Sequence, residues 1–230
     1  MKKIKVNLGC GYSLASGFYN VDIAISPGEM EDFYKKVKKK KIPEDARFIQ
    51  AAVQDLPFED NSVDYMESTD MIEHLPMRDV AGTFKEMYRV MKPGGKLLIV
   101  TTDFDDVART WLDASAKFTE LVTSGGDPST MFDEKFESEV WLDVCRRAIN
   151  LRMMIIYGNQ AHPGEMHMNA FTPSIMYVYL TQAGFDKEKI KISIHERGSR
   201  TPRTPGGNIT EADAIKYPLL NSMVVAEVIK

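Results

Sequence analysis

Short β-type runs, separated by helical or turn segments, fill the first hundred residues, and this alternation most constrains the fold. Strands that alternate with helices form a parallel sheet through right-handed crossovers. Two more β-type runs come late in the chain. The seven predicted strands are residues 4–8, 19–23, 48–53, 64–69, 96–101, 190–196 and 222–229. The pattern predicts an α/β fold with a doubly wound, seven-stranded, mostly parallel sheet, whose ligands bind at the carboxyl ends of the strands.

Helix signals lie between these strands. Apolar residues recur at helical spacing from Val80 to Met91, and Pro93-Gly94-Gly95 ends that helix. Thr172 is a suitable N-cap with a proline directly after it, and Gly184 stands at the other end as a C-terminal glycine. These signals predict helices before the fifth and the sixth strand.

The stretch from 104 to 165 breaks the alternation, because it holds two amphipathic helical patterns around Gly125-Gly126-Asp127-Pro128. We predict a single domain, residues 1–230, in which the 104–165 insertion folds over the carboxyl edge of the sheet as a helical substrate lid. Residues 197–221 are rich in Gly, Pro, Thr and Arg and form a long connection before the last strand.

The charge balance limits the partners of the chain. A net charge of −4 and an isoelectric point near 5.7 argue against nucleic acid as the main partner. Six lysines between positions 35 and 41 fall in a predicted helix that Pro43 stops. We interpret this run as a solvated helix face; the alternative is contact with an anionic surface, shared with Arg197, Arg200 and Arg203.

The cysteine and histidine content is low. Two cysteines and four histidines occur, and none stand at paired metal-ligand spacing, so we expect no metal site. Two cysteines are too few for a disulfide scaffold, and no apolar run approaches the roughly 20 residues of a membrane helix. We expect a cytoplasmic protein without a membrane span, and the sequence is compatible with a homodimer.

A glycine turn, Gly9-Cys10-Gly11, directly follows the first strand. Glycine lets the backbone approach a ligand closely. A dinucleotide fingerprint would need another glycine at position 14, which is Leu14, and an acidic residue about 20 positions further on. Here Asp22 follows only 11 positions after Gly11. The glycine turn alone is compatible with either an ordinary tight turn or a ligand site. We interpret Cys10 as a small side chain that packs in the turn rather than as a nucleophile.

Carboxylates follow two other strands at the same edge of the predicted sheet. Asp22 ends the second strand, and Asp55 follows the third. A carboxylate can accept hydrogen bonds from both hydroxyls of a ribose or from the exocyclic amine of adenine. Leu56 and Phe58 would provide an apolar wall for the ring. Together these loops indicate an adenosine-containing ligand.

With these residues the chain resembles the class I methyltransferases of the type 11 superfamily, which use S-adenosylmethionine. The motifs that carry the resemblance are Val6-Asn7-Leu8-Gly9-Cys10-Gly11, Asn20-Val21-Asp22, Asp55-Leu56-Pro57-Phe58, Asp60-Asn61-Ser62-Val63-Asp64, Ile72-Glu73-His74-Leu75 and Tyr88-Arg89-Val90-Met91-Lys92-Pro93-Gly94-Gly95. Within the superfamily the chain is similar to a bacterial group presumed to act on sugars or cell-surface precursors. Residues 157–160 and 167–172 look like that group's downstream motifs.

The resemblance implies a Rossmann-like methyltransferase fold that binds S-adenosylmethionine and releases S-adenosylhomocysteine. The implied cofactor-binding residues are Leu8, Gly9, Cys10, Gly11, Asp22, Ile23, Gln54, Asp55, Leu56, Thr69 and Asp70. Two features depart from the family. Residues 12–18 are too few for the usual first helix and allow only a very short one. Position 70, often His or Asn in relatives, is Asp here.

The sequence says less about the residues that would surround the methyl acceptor. His167 and His74 are the candidate general bases, although either could instead hold its own loop by hydrogen bonds. The candidate substrate-binding residues are Asp103, Tyr157, Gln160 and Asn169. Asp103 is equally suited to cap the helix that follows it.

We predict methyl transfer to an oxygen of a small molecule or sugar. One alternative is an RNA or protein methyltransferase that uses the lysine run and the arginine loop. Another is a regulatory protein that binds the cofactor without turnover.

Overall fold

The structure is a computed structural model that describes residues 3–126, 157, 166–196 and 222–230. The chain divides into two compact units, residues 1–103 with 168–230, and residues 104–167. The role of the 104–165 insertion as a lid stays a prediction. Gln160 and the connection 197–221 lie outside the described residues.

A seven-stranded sheet forms the first unit, as predicted. Its strands are β1 (Lys5–Leu8), β2 (Tyr19–Asp22), β3 (Arg47–Gln50), β4 (Val63–Thr69), β5 (Met91–Thr102), β6 (Ile190–Glu196) and β7 (Ser222–Ile229). Their order in the sheet is β3-β2-β1-β4-β5-β7-β6. Strands β1 to β5 pair in parallel, and β7 pairs antiparallel with both β5 and β6. The parallel strands therefore end together at one edge, where ligands bind in such sheets.

Four α-helices have bounds within the described residues. They are α1 (Pro27–Lys36), α2 (Met77–Val90), α3 (Phe104–Thr123) and α4 (Pro173–Ala183), and α3 belongs to the second unit. The predicted ends of α4 are confirmed: the Thr172 side chain accepts from the Ile175 amide, and Gly184 adopts a left-handed φ of 111°. No helix in the described part of the chain is long and apolar enough to cross a membrane.

The predicted helix over the lysine run is wrong beyond Lys36. Ser26 and Glu29 form a capping box that starts α1, and the helix reaches its C-cap at Val37. Lys35 and Lys36 occupy the last turn, where positive charge is favourable. Continuing the helix would place more lysines three and four positions apart, which is repulsive.

The fifth strand starts earlier than predicted. The chain passes from the end of α2 at Val90 straight into β5 at Met91, because Met91 pairs with Val63 of β4. The register between these strands shifts between Val63 and Tyr65, so the segment around Gly94 bulges within the strand and does not form a separate turn.

The main core fills the sheet face that α2 and α4 cover. Side chains of the parallel strands, such as Val6 and Ile99, pack with Phe84 of α2 and Met176 of α4, and all four are fully buried. This apolar layer fixes the sheet, and with it the loops at its carboxyl edge.

Glu67 is a charged residue on the opposite face of β4, and only 1% of it is exposed. Burial raises its pKa to about 7, although a hydrogen bond from the Tyr65 hydroxyl and the charge of Lys5 oppose the shift. The folded protein therefore holds this proton at a pH where the unfolded chain has already lost it.

We expect the free energy of unfolding to fall as the pH rises from 4.5 to 7 on account of Glu67. A raised pKa in the folded state stabilises the protein fully below the ordinary pKa, and this contribution is lost as the pH rises through 7. The loss is on the order of 3 kcal/mol, from about 1.4 kcal/mol per pH unit between the two pKa values. Urea unfolding at pH 5 and pH 8 measures it.

The variant Glu67→Gln should lose this pH dependence and be the more stable protein at pH 8. The matched control is Glu227→Gln, which removes an exposed carboxylate from strand β7 of the same sheet. It should keep the wild-type dependence. Equal slopes for wild type and Glu67→Gln would refute the assignment.

Candidate functional site

The glycine turn after β1 has one packed side and one open side. Gly9 has φ 64°, and a Cβ there would lie 2.0 Å from Cγ of Met71. Gly11 has φ 49°, and nothing lies within 4 Å of its Cβ position. Gly9 is therefore required for packing against the segment after β4, while Gly11 leaves space at the carboxyl edge of the sheet.

Asp22 ends β2 beside this turn. One carboxylate oxygen accepts from the Gly11 amide at 2.9 Å, and the other accepts from the Ala24 amide at 2.8 Å. Each oxygen retains a further lone pair, so the carboxylate can still accept two donors from a ligand. Ile23 follows with 61% of its surface exposed, which places an apolar side chain next to a fixed carboxylate.

A pair of buried amides shapes the loop where a first helix would stand. Asn7 and Asn20 face each other across β1 and β2, and the Asn7 amide donates to Oδ1 of Asn20 at 3.1 Å. The same oxygen accepts from the Ala15 amide at 2.7 Å, and the Asn20 amide donates to the carbonyls of Ala15 and Phe18. These bonds satisfy backbone groups that a helix would otherwise pair.

Cys10 lies inside the turn and is buried. Burial, with the nearby charge of Asp22, raises its pKa to about 12. The thiol is therefore protonated at neutral pH and unsuited to nucleophilic attack, in agreement with its interpretation as a packing residue.

The loop after β3 is fixed to α2 by its backbone. The Leu56 amide donates to a Glu86 carboxylate oxygen at 2.7 Å, and the Leu56 carbonyl accepts from Arg89. Arg89 bonds both Glu86 and Asp60, and it holds the pKa of Glu86 below its ordinary value. The Leu56 side chain is buried in the main core. The loop is rigid at Leu56 while Asp55 beside it is exposed, as a residue that contacts a ligand should be.

Asp70 directly follows β4 in a left-handed conformation with φ 46°, and its amide donates to the Val100 carbonyl at 2.9 Å. Asn, Asp and His are the non-glycine residues that tolerate this conformation best. The backbone therefore explains why His or Asn in relatives can be replaced by Asp here. Within the described residues, the buried hydroxyls of Ser68, Thr69 and Thr101 have no hydrogen-bond partner.

The acceptor-side candidates fall in both units. In the first unit, His74 lies in a short 3-10 helix (Ile72–His74), and the side chain of Asn169 donates to the Leu75 carbonyl. Asp103 is 3% exposed, and its amide donates to the Ser222 carbonyl at 3.1 Å. In the second unit, the His167 amide donates to the Tyr157 carbonyl at 3.0 Å. The substrate and base roles of these residues stay predictions.

Sequence reasoning missed two sets of residues that support the site: the Asn7–Asn20 pair and the Glu86–Arg89 pair. For the first pair, the available signal was one asparagine within each of two short apolar strands, because a polar side chain buried in a strand needs a hydrogen-bond partner. For the second, the signal was a Glu and an Arg three positions apart on a predicted helix.

Residues 6–99 match the sequence profile of the methyltransferase domain family. The ubiquinone/menaquinone biosynthesis C-methyltransferase UbiE of Rhizobium rhizogenes is 34% identical over 101 residues, which are 41% of this chain and 38% of that protein. The chloroplastic tocopherol O-methyltransferase of Arabidopsis thaliana is 37% identical over 109 residues, 44% of this chain and 31% of that protein. The chain thus spans well under half the length of these curated relatives.

Solved structures share the fold at low sequence identity. An S-adenosylmethionine-dependent methyltransferase from Mesorhizobium loti has a TM-score of 0.53 at 14% identity, covering 100% of this chain and 91% of that chain. A Haloferax volcanii methyltransferase structure, a complex with the activator Trm112, has a TM-score of 0.51 at 16% identity, covering 99% and 82%. The predicted Rossmann-like methyltransferase fold is confirmed, and the methyltransferase resemblance is confirmed for residues 6–99.

Proposed function

We propose that this chain is an S-adenosylmethionine-dependent methyltransferase whose methyl donor binds at the carboxyl ends of β1, β2 and β4. The observation that carries the proposal is the Asp22 carboxylate, oriented by the amides of Gly11 and Ala24. A carboxylate fixed at the end of β2, with free lone pairs and an open glycine beside it, fits the two hydroxyls of a ribose.

The other predicted cofactor residues fit the same ligand. The exposed side chain of Ile23 offers an apolar surface for adenine, and the exposed carboxylate of Asp55 can accept from its amine. Gly11 leaves room for the methionine moiety. When bound, S-adenosylmethionine supplies a methyl group that its sulfonium has already activated.

The task left to the protein is alignment. The fixed turn and the anchored loop at Leu56 hold their positions before a ligand binds, which lowers the entropic cost of a reactive geometry. A general base is needed only where the acceptor is a hydroxyl, which must lose its proton as the new bond forms. We propose His167 for this role, with His74 as the alternative, and the 104–165 insertion as the substrate lid.

The proposed acceptor is an oxygen of a small molecule or sugar, as in the bacterial group that the downstream motifs resemble. The names of these relatives support small-molecule acceptors and indicate two reactions, C-methylation for UbiE and O-methylation for tocopherol O-methyltransferase. If the acceptor is an oxygen, removing the general base should strongly lower turnover. If the acceptor is a carbon of an electron-rich ring, turnover should depend less on the base.

Titration calorimetry tests the donor site first. The protein should bind S-adenosylmethionine and S-adenosylhomocysteine, and it should not bind NAD, whose dinucleotide needs a glycine at position 14. Incubation with labelled S-adenosylmethionine and a cell extract, followed by mass identification, then finds the acceptor. Binding without any labelled product would favour the regulatory alternative, and labelled RNA or protein would favour the macromolecular one.

We predict that His167→Ala lowers turnover at least tenfold and leaves the affinity for S-adenosylmethionine unchanged, because a positioned base contributes about 10²- to 10⁴-fold. The measurement compares initial rates and donor affinity with those of His74→Ala. A wild-type rate for His167→Ala combined with a slow His74→Ala would move the role to His74. Wild-type rates for both would remove the base from the mechanism.

A further inference from the structure

A cleft of about 530 Å³ opens at the other edge of the sheet, at the amino ends of β1, β4 and β5. The proposed donor site lies at the carboxyl ends of the same strands, so the two places are a strand length apart. The cleft is lined by Lys3, Lys5, Phe18, Asp64, Tyr65, Glu67, Lys92, Pro93, Gly94, Gly95 and Lys96. None of them belongs to the predicted donor or acceptor site.

Positive charge dominates the rim of this cleft. Four lysines line it against two carboxyl groups. Lys92 pairs with Asp64 at 2.9 Å, and Lys5 lies over the Phe18 ring at 5.0 Å. Lys3 and Lys96 are exposed. The charge of Lys3 adds to that of Lys92 in lowering the pKa of Asp64, so two ammonium groups share this one carboxylate. Because four ammonium groups face only two carboxyl groups, the cleft carries an excess of positive charge.

The walls of the cleft combine apolar and polar surface. The rings of Phe18 and Tyr65 meet edge to face, with centroids 5.9 Å apart. The Tyr65 hydroxyl donates to Glu67 at 3.2 Å, and Glu67 is itself 1% exposed. An aromatic or apolar group can pack against the rings while an anionic group reaches the lysines.

We propose that this cleft binds a small organic phosphate, a molecule with a phosphate group next to an apolar or aromatic ring. Lysine ammoniums bind phosphate as point charges, and the excess of two ammonium groups over carboxyl groups matches a phosphate dianion. The ring would lie against Phe18 and Tyr65. Because the cleft is remote from Asp22, binding there is independent of the methyl-donor site.

Phenyl phosphate is the simplest probe that carries both features, and titration calorimetry can follow it. We expect it to bind at least fivefold more tightly than either inorganic phosphate or phenol. The variants Lys96→Gln and Lys5→Gln should each weaken binding at least fivefold. The control Lys85→Gln changes the same charge on α2, outside the cleft, and should bind as the wild type does.

Asp22→Asn separates this site from the donor site. It should lose S-adenosylmethionine affinity and keep the wild-type affinity for phenyl phosphate. The proposal is overturned if phenyl phosphate does not bind at 10 mM, roughly the weakest affinity expected for a fragment of this size. It is also overturned if Lys96→Gln binds like the wild type, or if Asp22→Asn abolishes phenyl phosphate binding. Lys96 is exposed, so its replacement should not disturb folding.

Discussion

Replacing Asp22 by asparagine is expected to weaken S-adenosylmethionine binding by at least 100-fold, about 3 kcal/mol. Asparagine keeps one acceptor oxygen and replaces the other with an amide that only donates. Either the Gly11 or the Ala24 amide then loses its acceptor, and the ligand loses a charge-assisted partner. Each loss alone is worth about 1–3 kcal/mol.

The control for this variant is Asp32→Asn, which makes the same charge change on an exposed face of α1. It should bind S-adenosylmethionine as the wild type does, because exposed ion pairs contribute little. Circular dichroism must show the same secondary structure for both variants. An Asp22→Asn affinity within threefold of wild type would refute the donor site, since the proposal rests on the Asp22 carboxylate.

The sheet could be predicted closely because each strand is a short apolar or alternating run with clear breakers. The predicted strand 64–69 is Val63–Thr69 in the structure, and the predicted strand 190–196 matches β6. The position of Asp22 at the carboxyl edge could be predicted for a related reason, since the end of a parallel strand fixes which edge a residue occupies. The local residue pattern and the place of each residue within its strand were sufficient for these predictions.

Contacts between residues distant in sequence could not be predicted in this way. The approach of Met71 to Gly9 depends on how the segment after β4 crosses the turn after β1, and no local pattern encodes that crossing. The Asn7–Asn20 bond depends on the register of β1 against β2. A shift of one residue in that register would point the two amides to opposite faces.

Gly9→Ala and Gly11→Ala are expected to lower different properties, although the two glycines are two residues apart in one turn. The first should mainly lower stability, and the second should mainly lower the affinity for S-adenosylmethionine. Both positions have positive φ, which costs an alanine about 1–2 kcal/mol. At Gly9 the new Cβ also overlaps Met71, and crowding of this kind costs about a further 1–3 kcal/mol. At Gly11 the new methyl meets no protein atom, and it enters the space proposed for the methionine moiety.

We therefore expect Gly9→Ala to lose about 2–5 kcal/mol of unfolding free energy, a large part of the stability of a typical domain. Gly11→Ala should lose about 1–2 kcal/mol while its affinity for S-adenosylmethionine falls at least tenfold. Gly17→Ala is the control for φ alone, because Gly17 has φ 77° and its Cβ position meets only Asp45 at 3.7 Å. It should show the small stability loss and wild-type affinity. Urea unfolding and calorimetry on the three variants separate packing from ligand space, and equal affinities for Gly11→Ala and Gly17→Ala would contradict the placement of the donor beside Gly11.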